Sequence, residues 1–118
     1  MRILCTGGTG ALAKNLQEYV RTHFDEFNKV HPESEWFFIG RGKYVNGKTG
    51  LRQGFEYDLT DKECATHLVF DYGPDVILHL AAACGGIGLN KKIPADLGRD
   101  NLLMGINILE AARVFGVS

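Results

Sequence analysis

A glycine-rich segment near the amino terminus has residue types and a spacing that could do chemistry. It reads Thr6-Gly7-Gly8-Thr9-Gly10-Ala11-Leu12-Ala13 and follows the apolar run Ile3-Leu4-Cys5. Glycines between a strand and a helix let the backbone approach a pyrophosphate, while the amides at the start of the helix face its charge. The segment fits Gly-x-Gly-x-x-Ala from Gly8 or Gly-x-x-Gly-x-x-Ala from Gly7. Because both parsings put small Ala13 where helix and strand must pack closely, we predict a dinucleotide-binding loop.

The spacing of apolar residues predicts three helices around and after this segment. Between Leu12 and Phe27 these residues recur at three- and four-residue steps, which is typical of an amphipathic helix. The predicted helices run from Ala11 to just before His31-Pro32, from a capping box at Thr60 and Glu63 to Gly73, and from about Gly98 to Gly116.

Short apolar runs predict the strands, which are Ile3–Cys5, Trp36–Ile39, Gly54–Tyr57 and Asp75–Ala81. The last run does not alternate with polar residues, as expected of a strand that is covered on both faces. Alternating strands and helices predict an α/β fold, a partial Rossmann-like doubly wound parallel sheet in strand order 3-2-1-4, with helices on both faces. Residues 41–54 hold four glycines and are expected to form an exposed loop.

Composition excludes several classes of protein. Thirteen Lys and Arg residues against 14 Asp and Glu residues give a net charge of -1, so nucleic acid is not an expected partner. The apolar runs are too short for a membrane span or a signal peptide. Three widely spaced cysteines do not make a disulfide framework and favour a cytoplasmic location. Cys64 and His67 lack a second pair of ligands, so no metal site is expected.

The end of the second predicted strand indicates which dinucleotide is preferred. In this fold an acid at that point binds the ribose hydroxyls of NAD, whereas an Arg suits the 2'-phosphate of NADP. The residues here are Gly40-Arg41-Gly42-Lys43, without an acid. The sequence therefore favours NADP, held by Arg41, and leaves NAD possible.

Together these motifs resemble the extended short-chain dehydrogenase/reductase family and, within it, the GDP-L-fucose synthases. The glycine-rich segment is similar to that family's TGxxGxxG pattern, with Ala13 in place of the last glycine. Asp58-Leu59 resembles the Asp-hydrophobic pair that follows the third strand. His79-Leu80-Ala81-Ala82 followed by Gly85-Gly86-Ile87 resembles a stretch typical of the GDP-fucose synthases.

This resemblance implies an NADPH-dependent epimerase/reductase that converts GDP-4-keto-6-deoxymannose to GDP-fucose. It places the pyrophosphate at the glycine-rich segment, the 2'-phosphate at Arg41 and the adenine at Asp58 and Leu59. The residues implied in cofactor binding are Gly7, Thr9, Gly10, Ala11, Leu12, Arg41, Asp58, Leu59, Ala81 and Ala82. Those implied on the side of the GDP-linked substrate are Gly85, Gly86 and Ile87.

The catalytic Ser and Tyr-x-x-x-Lys of the family are not matched. Tyr44 and Lys48 have the spacing but lie in the predicted loop rather than on a helix. We therefore expect residues 1–118 to be the N-terminal part of an NAD(P)-binding Rossmann domain, truncated before strand five and without a catalytic residue. Two alternatives stay open: a short non-catalytic Rossmann module that binds a nucleotide or a partner, and an NAD-dependent sugar-nucleotide epimerase or dehydratase.

The predicted strand order also implies a protein partner. It leaves Asp75–Ala81 as an unprotected edge of the sheet, and an apolar edge strand is a template for pairing with another chain. We therefore expect a homodimer or another form of self-association.

Overall fold

A mixed sheet with helices packed on both faces makes up the part of the chain that the computed structural model describes, residues 1–8, 10–40, 43–46, 50–53, 58–81 and 94–117. In chain order its elements are β1 (Arg2–Thr6), α1 (Ala11–Val30), β2 (Glu35–Gly40), β3 (Lys43–Asn46), β4 (Gly50–Gln53), α2 (Lys62–Tyr72), β5 (Val76–His79) and α3 (Pro94–Phe115).

The sheet has the order β4-β3-β2-β1-β5. β1 is parallel to both β2 and β5, which puts Thr6 opposite Ile39 on one side and His79 on the other. This confirms the predicted neighbours of the first strand, and it brings the carboxyl ends of three parallel strands to one edge of the sheet. Within the described residues β5 pairs with β1 alone, and self-association through its other edge stays a prediction.

The expectation that residues 41–54 form an exposed loop is wrong, because β3 and β4 lie within that range. β3 pairs antiparallel with β2, and β4 pairs antiparallel with β3, so the sheet is mixed rather than wholly parallel. Tyr44 and Val45 are good strand formers, and Asn46-Gly47 is a frequent hairpin-turn sequence. The prediction of a loop rests instead on the four glycines of this range. The predicted third strand at 54–57 lies outside the described residues, and β3 occupies the place beside β2.

Two hydrophobic clusters, one on each face of the sheet, hold the helices in place. Successive side chains of a strand point to opposite faces, so β1 and β2 contribute to both clusters. The cluster under α1 contains Ile3, Cys5, Ala13, Val20, Trp36 and Phe38. The cluster under α2 and α3 contains Leu4, Phe37, Ile39, Leu59, Ala65, Leu68, Met104 and Ile108. The predicted α/β architecture, with helices on both faces, is confirmed.

Helix ends agree with the sequence except at two amino termini. Asp61, not Thr60, is the N-cap of α2 and accepts a hydrogen bond from the Glu63 amide at 2.9 Å. The Thr60 hydroxyl instead donates to Asp58 Oδ1 at 2.6 Å. α3 begins at Pro94, earlier than the predicted start near Gly98, since proline suits the first position of a helix.

Two glycines offer a matched test of these helices. Gly73 caps α2 with a φ of +51°, whereas Gly105 lies within α3; a methyl group at either position would meet nothing within 4 Å. Gly73→Ala should therefore destabilise the 118-residue chain by about 1 kcal/mol, the cost of a left-handed conformation. Gly105→Ala should stabilise it by up to about 1 kcal/mol through helix propensity. Urea unfolding measures both changes in the free energy of unfolding. Changes of the same sign would contradict the assigned positions of Gly73 at the end of α2 and of Gly105 within α3.

Candidate functional site

The segment that joins β1 to α1, residues 6–13, contains at position 7 a glycine that no other residue could replace without strain. Gly7 has a φ of +73°, in the left-handed region. A Cβ placed on it would lie 2.7 Å from the carbonyl carbon of Leu80 and 2.8 Å from the amide nitrogen of Ala81. The backbone after β1 therefore touches the backbone after β5. We call residues 6–13 the glycine loop.

Gly8 anchors the same loop to β2 and to α1. Its amide donates to the carbonyl of Ile39 at 2.7 Å, and its carbonyl accepts from Gln17 Nε2 at 2.7 Å. A Cβ on Gly8 would lie 2.8 Å from the carbonyl carbon of Phe38, so side chains are excluded here as well. Gly7 and Gly8 thus allow the loop to lie in the narrow space between the carboxyl ends of β5 and β2.

The amino terminus of α1 follows these two glycines closely in the chain, and its N-cap residue has no side chain that could cap it. The N-cap Gly10 provides no side-chain hydrogen bond, and the first turn contains no acid. Ala11 and Leu12 are exposed, whereas Ala13 is almost fully buried against the sheet, as the predicted close packing of helix and strand requires. The first amides of a 20-residue helix and the positive end of its dipole therefore face outward at the carboxyl edge of the sheet. An anion such as a pyrophosphate fits this arrangement.

A small polar group sits where the glycine loop meets β5. Thr6 Oγ1 lies 2.8 Å from Nδ1 of His79 and accepts the amide of Ala81 at 3.2 Å. Thr6 is fully buried and His79 is half-buried. Burial lowers the pKa of His79, which favours the neutral ring. The ring of His79 therefore has a hydrogen-bond partner in Thr6.

Asp58 and Leu59 lie just before α2, on the side of the sheet that α2 and α3 cover. Asp58 is exposed, and its Oδ1 accepts from both the amide and the hydroxyl of Thr60. Leu59 is buried in the core, and its carbonyl accepts from Asn107 Nδ2 at 2.9 Å. The packing of Leu59 thus fixes the start of α2 against α3. Contact of this pair with adenine stays a prediction.

The structure brings some of the predicted site residues together and does not describe others. Gly7, Gly10, Ala11 and Leu12 share the glycine loop, and the Ala81 amide lies against Gly7. Thr9, Arg41, Ala82, Gly85, Gly86 and Ile87 lie outside the described residues. Their roles therefore stay predictions, as do those assigned to the described residues.

Other chemistry is limited in the described part of the chain. Burial raises the pKa of the Cys5 thiol to about 11, so it is protonated at neutral pH and is a poor nucleophile. Tyr44 lies on β3 and not on a helix. Within the described ranges no three His, Cys, Asp or Glu residues are grouped so that they could hold a metal ion. No described helix is long and apolar enough to cross a membrane.

A parallel β2-β1-β5 core with a helix amino terminus at its carboxyl edge defines a Rossmann-like α/β domain. Residues 3–118 match the NAD dependent epimerase/dehydratase family, and the chain belongs to that family.

Individual relatives are similar over almost the whole chain. Identity is 30% to a probable GDP-L-fucose synthase of Drosophila melanogaster and 30% to the GDP-L-colitose synthase of Yersinia pseudotuberculosis, covering 98% and 96% of this chain. The chain spans 30% of the length of each of these two relatives.

Solved structures agree with this relationship. A GDP-L-fucose synthetase from Naegleria fowleri bound to NADP has a TM-score of 0.67 and 31% identity over 98% of this chain and 31% of its own. The UDP-glucose 4-epimerase of Thermus thermophilus in complex with NAD has a TM-score of 0.71 and 26% identity over 100% of this chain and 35% of its own.

Sequence reasoning missed two groups that hold the loop, the hydroxyl of Thr6 and the amide of Gln17. Both act on backbone atoms, at the Ala81 amide and the Gly8 carbonyl. The spacing of Gln17 nine residues after Gly8, on the first turns of α1, was a usable signal. The partner of Thr6 was not, because it depends on the register of two strands more than 70 residues apart.

Replacing two glycines of the loop tests its geometry. Gly7→Ala should destabilise the chain by more than the 1–2 kcal/mol or so of a left-handed φ, because the methyl group also meets the Leu80 backbone. Gly10→Ala is the control, because Gly10 has an ordinary φ of -76°. A Cβ placed on Gly10 would have the Gly7 carbonyl oxygen as its nearest neighbour, at 3.3 Å. This substitution should cost about 1 kcal/mol or less. Thermal unfolding compares the two variants, and equal losses would refute the close approach at Gly7.

Proposed function

We propose that this chain binds a nicotinamide dinucleotide at the carboxyl edge of β2, β1 and β5, as the cofactor-binding part of a nucleotide-sugar epimerase/reductase. The observation that carries the proposal is the glycine loop. Gly7 and Gly8 are packed against backbone on two sides of the loop, and the start of α1, where Gly10 offers no capping side chain, points where a pyrophosphate would lie. Membership of the NAD dependent epimerase/dehydratase family supports the same ligand.

The proposed preference is for NADP. β2 ends at Gly40 beside β1, and in this fold the residue that follows the second strand in sequence is the one that selects between the two cofactors. Arg41 occupies that position in the sequence, and no acid is present from residue 40 to residue 43. A guanidinium suits a 2'-phosphate because it donates two parallel hydrogen bonds and carries the opposite charge. The similar structures hold NADP in one case and NAD in another.

The proposed substrate is a GDP-linked 4-keto-6-deoxy sugar, which the complete enzyme would epimerise and reduce. The names of the relatives, GDP-L-fucose synthase and GDP-L-colitose synthase, support a GDP-linked sugar. Gly85, Gly86 and Ile87 are proposed to line the substrate side, and Ala81 and Ala82 the ribose and nicotinamide side. In this account the present residues bind and orient the cofactor, and they do not supply the general acid.

A second candidate function is an NAD-dependent sugar-nucleotide epimerase. The fit to the Thermus thermophilus UDP-glucose 4-epimerase, with a TM-score of 0.71, favours it. The missing acid after β2 argues against NAD as the preferred cofactor. The choice between the two candidates is therefore open to a direct binding measurement.

Titration of the 118-residue chain with NADPH and with NADH tests both candidates. NADPH should bind more tightly than NADH. Arg41→Ala should weaken the binding of NADPH by roughly tenfold to a hundredfold and leave the binding of NADH nearly unchanged, because only NADPH loses a charge-assisted hydrogen bond. Arg21→Ala is the matched control, since Arg21 is exposed on α1 and paired with Glu18.

Nicotinamide fluorescence or calorimetry measures these affinities. Equal binding of the two cofactors, or no effect of Arg41→Ala, would remove the 2'-phosphate role. Tighter binding of NADH would favour the epimerase.

A further inference from the structure

The polar group formed by Thr6, His79 and Ala81 fixes the direction of its own hydrogen bonds. The amide of Ala81 donates to Thr6 Oγ1, so that oxygen already has an incoming proton. Thr6 is fully buried, and a buried hydroxyl needs an acceptor for its own proton. In the described surroundings of Thr6 the acceptor in reach is His79 Nδ1, at 2.8 Å.

This direction determines the state of the imidazole ring. Nδ1 can accept only if it carries no proton, so the ring is neutral and its proton sits on Nε2. The half-buried position of His79 favours the same neutral form, because burial disfavours a charged ring.

The bonded atoms join the two backbone segments that meet at the glycine loop. Thr6 and His79 are opposite each other in the β1–β5 register, and Ala81 is the second residue after the end of β5. On the other side, Gly7 leaves no room for a Cβ against Leu80 and Ala81, and its carbonyl accepts from Gly10 at 3.0 Å. A shift of residues 80–81 would therefore displace Gly7 and, through it, the N-cap of α1.

We propose that His79 is a positioning residue: by accepting the Thr6 hydroxyl it orients Thr6 Oγ1 toward the Ala81 amide and so clamps residues 80–81 against the glycine loop. His79 acts through Thr6 and needs no contact with the cofactor. The effect on binding rests on the proposed function, that the loop holds a nicotinamide dinucleotide, whereas the clamp itself does not.

Two pairs of variants separate the hydrogen bond from the shape of the side chains. Thr6→Val removes the hydroxyl at nearly constant shape, and Thr6→Ser keeps it. His79→Leu removes the acceptor, and His79→Asn keeps an acceptor oxygen near the position of Nδ1. We expect Thr6→Val and His79→Leu to weaken the binding of NADPH by about tenfold. The affinities of Thr6→Ser and His79→Asn for NADPH should stay within about threefold of the wild-type value. The double variant Thr6→Val/His79→Leu should lose no more than either single variant, because both remove one interaction.

Two measurements report on the clamp without any cofactor. Nitrogen-15 NMR of the wild-type His79 ring should show a bare Nδ1 and a protonated Nε2. Hydrogen exchange at the Ala81 amide should accelerate in Thr6→Val and His79→Leu but not in Thr6→Ser or His79→Asn.

A proton on Nδ1 of His79, or an equal exchange rate of the Ala81 amide in all four variants, would overturn the proposal. The NMR measurement on the wild-type ring tests the proposal even if a variant fails to fold. A wild-type chain that binds neither NADPH nor NADH would instead overturn the proposed function, while the ring and exchange measurements still decide the clamp.

Discussion

The contact between the backbone at Gly7 and the backbone at Leu80 and Ala81 is the constraint on which the rest of the site depends. It allows β1 and β5 to end at the same edge with no side chain between them, and it turns the chain so that α1 starts outside the sheet. The backbone at Gly8 lies similarly close to the backbone of Phe38 and Ile39 in β2. With bulkier residues at these two positions the helix terminus would move away from the carboxyl edge of the strands.

The two faces of the sheet make that edge rigid in different ways. On one face α1 is fixed by apolar packing and by the small Ala13, so that the amides of its first turn keep their direction. On the other face α2 and α3 are joined through the core and through the bond from Asn107 to the Leu59 carbonyl. Unpaired helix amides are costly when buried but useful when they meet an anion. This arrangement explains why the open end of α1 is exposed while its flanks are packed.

Local patterns were enough to predict the parallel strands, the ends of α1 and the glycine loop. The apolar runs at β1, β2 and β5 are continuous, and the turns around them contain glycine or proline, so few alternatives compete. The hairpin of β3 and β4 was missed because glycine content favoured a loop while Tyr44, Val45 and the Asn46-Gly47 pair favoured strands. At α2, Thr60 and Asp61 are both good caps by residue type; in the structure Asp61 caps the helix, while the Thr60 hydroxyl donates to Asp58. The bond from Thr6 to His79 depends on strand register, which no local pattern contains.

An NMR titration of the 118-residue chain with NADPH tests most directly that the glycine loop binds the cofactor. The largest amide shifts should fall on Gly8, Gly10, Ala11 and Leu12, because their N–H groups lie at or beside the start of α1. The amides of Phe70 and Phe115, whose rings pack together at the ends of α2 and α3, should not move. Saturable shifts confined to Phe70 and Phe115, with the loop amides unchanged, would contradict the account.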